Sequence, residues 1–130
     1  MKFIARTLIV AFALSGAAFA QGPARGRIEP VRDEVMEAQA KHNLDVARYY
    51  LTKRKAYEGA RDRLQEIMET YPDFSRMDEV LYLLGEANLK LGKKEQAVEF
   101  YNKLLKVYPA SELVKKARAR LEELKGEEVK

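Results

Sequence analysis

The side chains that could carry out chemistry are few and scattered along the chain. Its 130 residues include no cysteine and one histidine, His42. Without cysteine there is no thiolate to bind zinc, to hold an iron–sulfur cluster or to act as a nucleophile. Glu122 and Glu123 are neighbours in sequence, so their carboxylates point apart on a helix and make a poor acid–base pair. We therefore predict that the protein is not an enzyme and that it binds no cofactor and no metal.

Basic residues exceed acidic ones by 24 to 20, but they do not form a continuous basic face. The Gly-Lys-Lys segment at 92–94 lacks the spaced glycines of a phosphate-binding loop. Elsewhere basic and acidic residues alternate, whereas nucleic-acid binding requires a clustered basic surface, so we expect no nucleic-acid partner. One basic patch remains, formed by Lys53, Arg54 and Lys55. It suits the negative end of a helix dipole, or a contact with lipid head groups or an acidic partner.

The first 20 residues have the features of a secretory signal peptide. Lys2 and Arg6 give a positive start, residues 7–14 are mostly apolar, and Ala18 and Ala20 are small residues of the kind that signal peptidase requires. The apolar run is too short for a transmembrane helix, which needs about 20 residues. We expect cleavage after Ala20, which removes two basic residues and leaves 22 basic against 20 acidic side chains.

The rest of the chain is predicted to be helical. Residues 21–29 are polar, with glycine and proline, and are typical of a flexible leader. From Pro30 onward the apolar residues follow the period of amphipathic helices. The pattern predicts a domain at residues 30–125 and a frayed tail at residues 126–130. Five helices are expected within the domain, at about 31–53, 56–70, 76–91, 94–107 and 111–125.

Two segments of the chain repeat one pattern at a spacing of 37 residues. Ala60 and Pro72 in the first segment correspond to Ala97 and Pro109 in the second. Tetratricopeptide repeats pair two antiparallel helices, with small residues at the crossing and a proline after the second helix. Helices approach to about 8–10 Å only where side chains are small, which the two alanines allow. The sequence therefore predicts an all-α fold of two tetratricopeptide-type hairpins plus a capping helix, forming a short solenoid.

In this architecture the first helix of each repeat lines the concave side of the solenoid. The exposed positions of these helices are His42, Asp45, Tyr49 and Thr52 in the first repeat and Glu79, Tyr82, Glu86 and Leu89 in the second. We predict that they form a mixed apolar and acidic groove with two aromatic anchors. Such a composition suits a peptide or a partner helix. A solvated helix face without a partner is the alternative interpretation.

The segment from His42 to Tyr57, with the sequence HNLDVARYYLTKRKAY, resembles the BamD family of outer-membrane protein assembly lipoproteins. Residues 60–72 and 79–92 continue the similarity, which covers about residues 30–125 and corresponds to the C-terminal repeats of that family. The resemblance implies an all-helical, right-handed scaffold in the periplasm. It also implies docking on the β-barrel assembly machine, with other envelope proteins as partners.

Lipidation is the point on which the chain departs from that family. Residues 14–16 (Leu-Ser-Gly) look like the start of a lipoprotein processing site, but Ala17 stands where the lipidated cysteine would be. We therefore expect no covalent lipid, and any peripheral association with the outer membrane would depend on partner proteins. Another envelope adaptor, resembling the TolA-binding division coordinator, is the alternative. Both interpretations imply a location in the periplasm or at the outer-membrane periphery.

Overall fold

The computed structural model describes residues 31–129, and this part of the chain is helical with no strand. Its elements are α1 (Val31–Tyr49), a π-helical turn (Tyr50–Arg54), α2 (Tyr57–Thr70), α3 (Met77–Lys90), α4 (Lys94–Val107) and α5 (Val114–Glu128). The predicted all-α class is therefore confirmed. The predicted signal peptide and leader, residues 1–29, lie outside the described residues.

Each helix packs mainly against the next one along the chain. α1 packs on α2, α2 on α3, α3 on α4, and α4 on α5. The first two helices form one hairpin, α3 and α4 form the second, and α5 covers the second hairpin. This is the order predicted for two repeats followed by a capping helix.

The core consists of two apolar clusters that run along the stack of helices. The first cluster is formed by Ala40, Leu44, Ala47, Leu64, Ile67, Phe74, Met77, Val80 and Leu84. The second is formed by Leu81, Ala97, Tyr101, Leu104, Ala117, Leu121 and Leu124. Met68, Phe100 and Tyr108 are partly buried and pack against both clusters. Burying each of the leucine, isoleucine, valine, phenylalanine and methionine side chains contributes about 1.5–3 kcal/mol, so this apolar core is the main source of stability.

The small residues that the repeat pattern singled out lie at close helix contacts. Ala60 and Ala97 are both fully buried. Gly85 on α3 lies against the ring of Tyr101 on α4. A Cβ atom added to Gly85 would lie 2.4 Å from Cε1 of that ring. The second hairpin therefore depends on the absence of a side chain at residue 85.

The first helix ends differently from the regular helix predicted to residue 53. After Tyr49 the chain widens into the π-helical turn, and the Lys55 and Ala56 N–H groups both donate to the Tyr50 carbonyl oxygen. Lys55 adopts a left-handed conformation with φ of 51°. A non-glycine residue rarely takes that conformation, so the connection to α2 is locally strained.

The last helix begins and ends later than the predicted 111–125. Ser111 Oγ accepts the Leu113 N–H at 3.2 Å and donates to Asp78 Oδ2 at 2.6 Å, which holds these residues in a turn before Val114. At the other end the helix runs through Gly126 to Glu128. Lys94 Nζ lies 3.8 Å from a Glu128 carboxylate oxygen and supports this last turn. The helical part of the predicted tail, residues 126–128, is thus continuous with α5.

None of the helices within residues 31–129 is long and apolar enough to span a lipid bilayer.

Candidate functional site

Two neighbouring depressions follow α3, and Tyr82 and Leu83 border both. The first, of about 260 Å³, lies between α3 and the end of α1, and Arg48, Thr52 and Lys90 also line it. The second, of about 740 Å³, lies between α3 and the start of α5 and contains Ser75, Glu79, Ser111 and Lys116. We call the two together the α3 groove. The half-buried ring of Tyr82 stands at the point where they meet.

Glu79 connects α3 to α1. Arg48 Nε donates to Glu79 Oε1 at 2.7 Å, and Arg48 Nη2 donates to the same oxygen. Arg76 Nη2 donates to Glu79 Oε2 at 2.6 Å, so both carboxylate oxygens have a cationic partner. On α1 itself, Arg48 Nη1 also donates to Asp45 Oδ1 at 2.8 Å. Charge-assisted bonds of this geometry are stronger than neutral ones and fix the position of α1 relative to α3.

Glu86, two helical turns further along α3, makes the corresponding connection to α5. Arg120 Nε donates to Glu86 Oε1 at 2.8 Å and Arg120 Nη2 donates to Oε2 at 3.0 Å. The buried Tyr101 hydroxyl donates to Glu86 Oε1 at 2.6 Å. Arg120 Nη1 also donates to Glu123 at 3.0 Å. One carboxylate therefore joins three helices, α3, α4 and α5.

These contacts shift the ionisation of the groups around Glu86. Burial acts most strongly on the Glu86 carboxyl and favours its neutral form. The hydrogen bonds from Arg120 and Tyr101, together with the positive charge of Arg120 and the Tyr82 hydroxyl, outweigh burial, so the pKa of Glu86 is lowered from its usual value. Burial, followed by the hydrogen bond to Glu86, raises the pKa of Tyr101. Burial and the charge of Glu86 also raise the pKa of Tyr82, so both phenols stay protonated near neutral pH.

The α3 wall of the groove therefore lacks the open acidic character that its sequence suggests. The two glutamates that α3 contributes to it, Glu79 and Glu86, are bound by arginines that compensate their charges within the protein. Glu112 lines the second depression as an exposed carboxylate. The positions that remain for a partner include the Tyr82 ring, the neighbouring leucines and the exposed Thr52, Lys90 and Lys116. Such a surface offers an aromatic anchor with a polar margin, which is typical of binding sites for partner segments.

Only some of the eight residues predicted for the groove line the α3 groove in the structure. Thr52, Glu79, Tyr82 and Glu86 line the α3 groove. Leu89 is partly buried and packs against the second core cluster.

The three remaining residues belong to the outer side of α1. Asp45 is exposed beside Arg48. His42 lines a separate shallow depression with Glu66 and Tyr71 of α2. Tyr49 is 50% exposed. None of these three lines the α3 groove, although Asp45 is joined to it through Arg48.

Two arginines that complete the site were not predicted from the sequence as groove residues. Arg48 stands 37 residues before Gly85, at a position where the repeat pattern calls for a small residue, and that departure was the available signal. Arg120 lies on the predicted capping helix, and nothing in its local sequence marks its bond to Glu86. Tyr57 and Lys90 also line the groove. Their exposure depends on how neighbouring helices pack, which the repeat pattern does not specify.

The basic patch lies at the end of the π-helical turn. Lys53, Arg54 and Lys55 are all exposed, and no ion pair within residues 34–129 includes any of them. In the same part of the chain no three histidine or acidic side chains are close enough together to hold a metal ion. A role for the basic patch in partner or lipid binding stays a prediction.

Comparison with known proteins places this architecture in a family. A tetratricopeptide repeat family model matches residues 51–121, which is more than half of the chain. The chain belongs to the tetratricopeptide repeat family, whose members provide surfaces for protein–protein interaction. The predicted tetratricopeptide fold is thereby confirmed, and the protein is an interaction scaffold.

The chain is also similar to a protein of outer-membrane assembly. Over 58 residues it is 36% identical to the outer membrane protein assembly factor BamD of Haemophilus influenzae. The match covers 45% of this chain and 22% of that protein, so the chain spans about a fifth of its relative. This similarity confirms the predicted resemblance to BamD. No solved structure matches the chain at a comparable level of significance.

Proposed function

We propose that this chain is a non-catalytic adaptor of the cell envelope that contributes to the assembly of outer-membrane β-barrel proteins. The observation that carries the proposal is the 36% identity, over 58 residues, to an outer membrane protein assembly factor. Membership of the tetratricopeptide repeat family supports a role in protein–protein interaction.

The α3 groove is the surface that we propose for the partner. Its two walls, α1 and α5, are joined to α3 by the bonds of Arg48 to Glu79 and of Arg120 to Glu86. A groove that is held in place before binding loses less conformational entropy when a partner enters it. Tyr82 would act as the anchor, because an aromatic ring buries a large apolar area with few rotatable bonds.

The proposed location is the periplasm or the periphery of the outer membrane. The predicted signal peptide would direct export, and Ala17 at the expected lipidation position would leave the chain without a covalent lipid. Contact with the membrane would then depend on partner proteins. The repeats that end in Tyr-Pro at residues 71–72 and 108–109 also keep the alternative of a division-coordinator adaptor open.

An affinity experiment tests the proposal. The chain of residues 21–130 is immobilised and exposed to an envelope extract of its own source, and bound proteins are identified by mass spectrometry. We expect components of the β-barrel assembly machinery to be recovered. Recovery of division or cell-wall proteins without them would instead support the alternative adaptor role.

Variants of the groove locate the binding surface. Tyr82→Ala and Lys90→Glu should each lower recovery at least fivefold while circular dichroism remains helical. Val107→Ala is the control, because Val107 is 51% exposed on α4 and lies outside the groove. If both groove variants bind as well as the unmodified chain, the partner uses another surface.

A further inference from the structure

Basic side chains lie on two adjacent turns at one end of the helix stack. The basic patch ends the π-helical turn, Lys90 ends α3, and Lys93 follows in the turn to α4. The two turns are close together, because Thr52 and Lys90 line the same depression. All five cations are exposed, and no ion pair within residues 34–129 includes any of them. We call the basic patch together with Lys90 and Lys93 the basic end.

Charge is distributed unevenly between the two ends of the stack. Near the basic end, seven basic and four acidic side chains lie in residues 50–58, 90–96 and 125–129. The starts of α1, α3 and α5 meet at the opposite end, where the Ser75 N–H donates to Glu37 and Ser111 Oγ donates to Asp78. There, four basic and six acidic side chains lie in residues 34–37, 69–78 and 106–116. An extended negative surface would therefore attract the molecule with its basic end first.

Lys55 keeps its charge at this end in spite of backbone strain. Its φ is 51°, and Gly92, which stands 37 residues later at the same point of the second turn, has a φ of 72°. Glycine takes this left-handed conformation freely, whereas a residue with a side chain is strained in it. The first turn therefore carries a cation where the geometry favours glycine, and strain of this kind is common at functional sites.

The arrangement of the cations suits a lipid surface better than a folded partner. They lie on two separate turns, and of the five only Lys90 lines the α3 groove. A bilayer presents anionic head groups over a wide area, so cations on separate turns can all approach one. Tyr49, which is 50% exposed, lies about one turn before Lys53, and tyrosine rings are enriched at the interface between membrane and water.

We propose that the basic end binds the surface of an anionic phospholipid bilayer, with the helix stack standing on the membrane at this end. The contact goes beyond the proposed adaptor role, in which membrane contact depends on partner proteins, and its biological relevance rests on the proposed location. Each Lys or Arg near such a surface strengthens binding by about fivefold. Because charge supplies most of the attraction, the binding is reversible and weakens with salt.

Vesicle sedimentation tests the proposal on the purified chain of residues 21–130. Sucrose-loaded vesicles of phosphatidylcholine alone are compared with vesicles that contain 30% phosphatidylglycerol, in 50 mM and in 300 mM NaCl. In low salt we expect at least tenfold stronger binding to the phosphatidylglycerol vesicles. In high salt this binding should weaken at least tenfold, because the charges are screened.

A pair of triple variants separates a local site from the effect of net charge. The patch variant removes the charges of the basic patch, through Lys53→Gln, Arg54→Gln and Lys55→Gln. The matched control removes three exposed charges outside the basic end, through Lys106→Gln, Lys115→Gln and Arg118→Gln. The patch variant should bind phosphatidylglycerol vesicles at least tenfold more weakly, and the control should change binding less than threefold. Lys90 is left in place because it also lines the α3 groove.

One single substitution separates lipid binding from stability. Lys55→Gly removes a cation and relieves the left-handed strain. It should weaken vesicle binding about fivefold, while the urea midpoint of unfolding stays the same or rises. Vesicle binding that Lys55→Gly leaves unchanged would contradict a lipid contact at this turn.

Tryptophan fluorescence tests the orientation, since the chain contains no tryptophan of its own. Tyr49→Trp should shift its emission to shorter wavelength when phosphatidylglycerol vesicles are added, because the ring enters the interface. Val107→Trp is the matched control, because Val107 is 51% exposed at the opposite end, and its emission should not shift. A shift of Val107→Trp without one of Tyr49→Trp would overturn the orientation.

Three further results would overturn the proposal. One is a chain that does not bind phosphatidylglycerol vesicles in 50 mM NaCl, and another is an equal loss of binding in the patch variant and its control. The third is retention on a polyglutamate resin without vesicle binding, which would assign the basic end to an acidic protein partner. None of these measurements uses an envelope extract or a groove variant, so their failure is distinguishable from failure of the adaptor role.

Discussion

The two hairpins of the molecule use equivalent positions of the repeat in different ways. In the α3–α4 hairpin, Gly85 leaves the space in which the buried ring of Tyr101 lies. At the corresponding position of the α1–α2 hairpin, 37 residues earlier, stands Arg48, and Leu64 corresponds to Tyr101. Arg48 reaches outward to Glu79 on α3. The second hairpin is therefore closed by an exact steric fit, whereas the first uses the same position for an electrostatic link to its neighbour.

This difference indicates how each repeat should respond to change. A steric fit is sensitive to added volume and insensitive to salt. An ion pair near the surface is sensitive to salt and contributes less free energy.

The largest effect is expected at Gly85. Gly85→Ala places a methyl group within 2.4–2.8 Å of the Tyr101 ring, and overpacking of this kind should lower the free energy of unfolding by about 2–3 kcal/mol. Urea unfolding followed by circular dichroism measures it. Gly126→Ala is the matched control on α5, because a Cβ there meets nothing within 4 Å.

A double-mutant cycle shows whether the Tyr101 ring is the cause. In a Tyr101→Leu background, which imitates Leu64 of the first hairpin, Gly85→Ala should cost no stability, since alanine has the higher helix propensity. A penalty that persists without the ring would contradict the steric explanation.

The next effect concerns the acceptor of the Tyr101 hydroxyl. Glu86→Ala leaves that buried hydroxyl and Arg120 without their shared partner and should cost about 1–2 kcal/mol. Thermal unfolding of the two proteins at pH 7 measures it. Glu99→Ala, an exposed glutamate on α4, is the control and should change stability by less than about 0.5 kcal/mol. If Glu86→Ala and Glu99→Ala change stability equally, the structural role of Glu86 is contradicted.

The ionisation of Glu86 should also contribute to the pH dependence of the free energy of unfolding, and this effect should be smaller than that of Glu86→Ala. The pKa of Glu86 is lower in the folded chain than its usual 4.5. Its stabilisation is therefore complete above pH 4.5 and is lost as the pH falls through the lower folded value. Urea midpoints between pH 3 and pH 7 should fall less steeply with acid in Glu86→Gln. Parallel curves for Glu86→Gln and the unmodified chain would contradict the shift.

The smallest effect is expected in the first hairpin. Arg48→Met keeps the length and helix propensity of the side chain but removes its charge, and it should cost about 0.5 kcal/mol at low salt. In 1 M NaCl, where screening weakens exposed pairs, the difference from the unmodified chain should shrink. Chemical unfolding at the two salt concentrations measures it. The difference proposed between the hairpins would be contradicted if Arg48→Met lowered the free energy of unfolding as much as Gly85→Ala, or if salt left its effect unchanged.

The fold could be predicted from local sequence because its signals are local. The helical period, the small residues Ala60 and Ala97 and the prolines after each hairpin all act within one repeat. The π-helical turn was not predicted, because it depends on two N–H groups sharing the Tyr50 carbonyl oxygen. The start of α5 was not predicted for a similar reason, since it depends on the hydrogen bond from Ser111 to Asp78 of α3, 33 residues earlier in the sequence.

The groove could be predicted only in part, because its ion pairs join residues far apart in sequence. Arg48 is 31 residues from Glu79, and Arg120 is 34 residues from Glu86. Helical periodicity places both glutamates on one face of α3, but it does not specify which cation reaches them. It also places Leu89 on that face, although the packing of α3 turns this side chain toward the core.

The π-helical turn at Tyr50–Arg54 gives the chain a site where its length can change by one residue. Because this turn is wider than an α-helical one, deletion of one of its exposed residues would leave an ordinary α-helical turn leading into α2. A deletion within α3 would instead rotate every following side chain by about 100° and move half of the core face into solvent. Among homologous sequences we therefore expect single-residue insertions and deletions to accumulate at this turn and to be absent from α3.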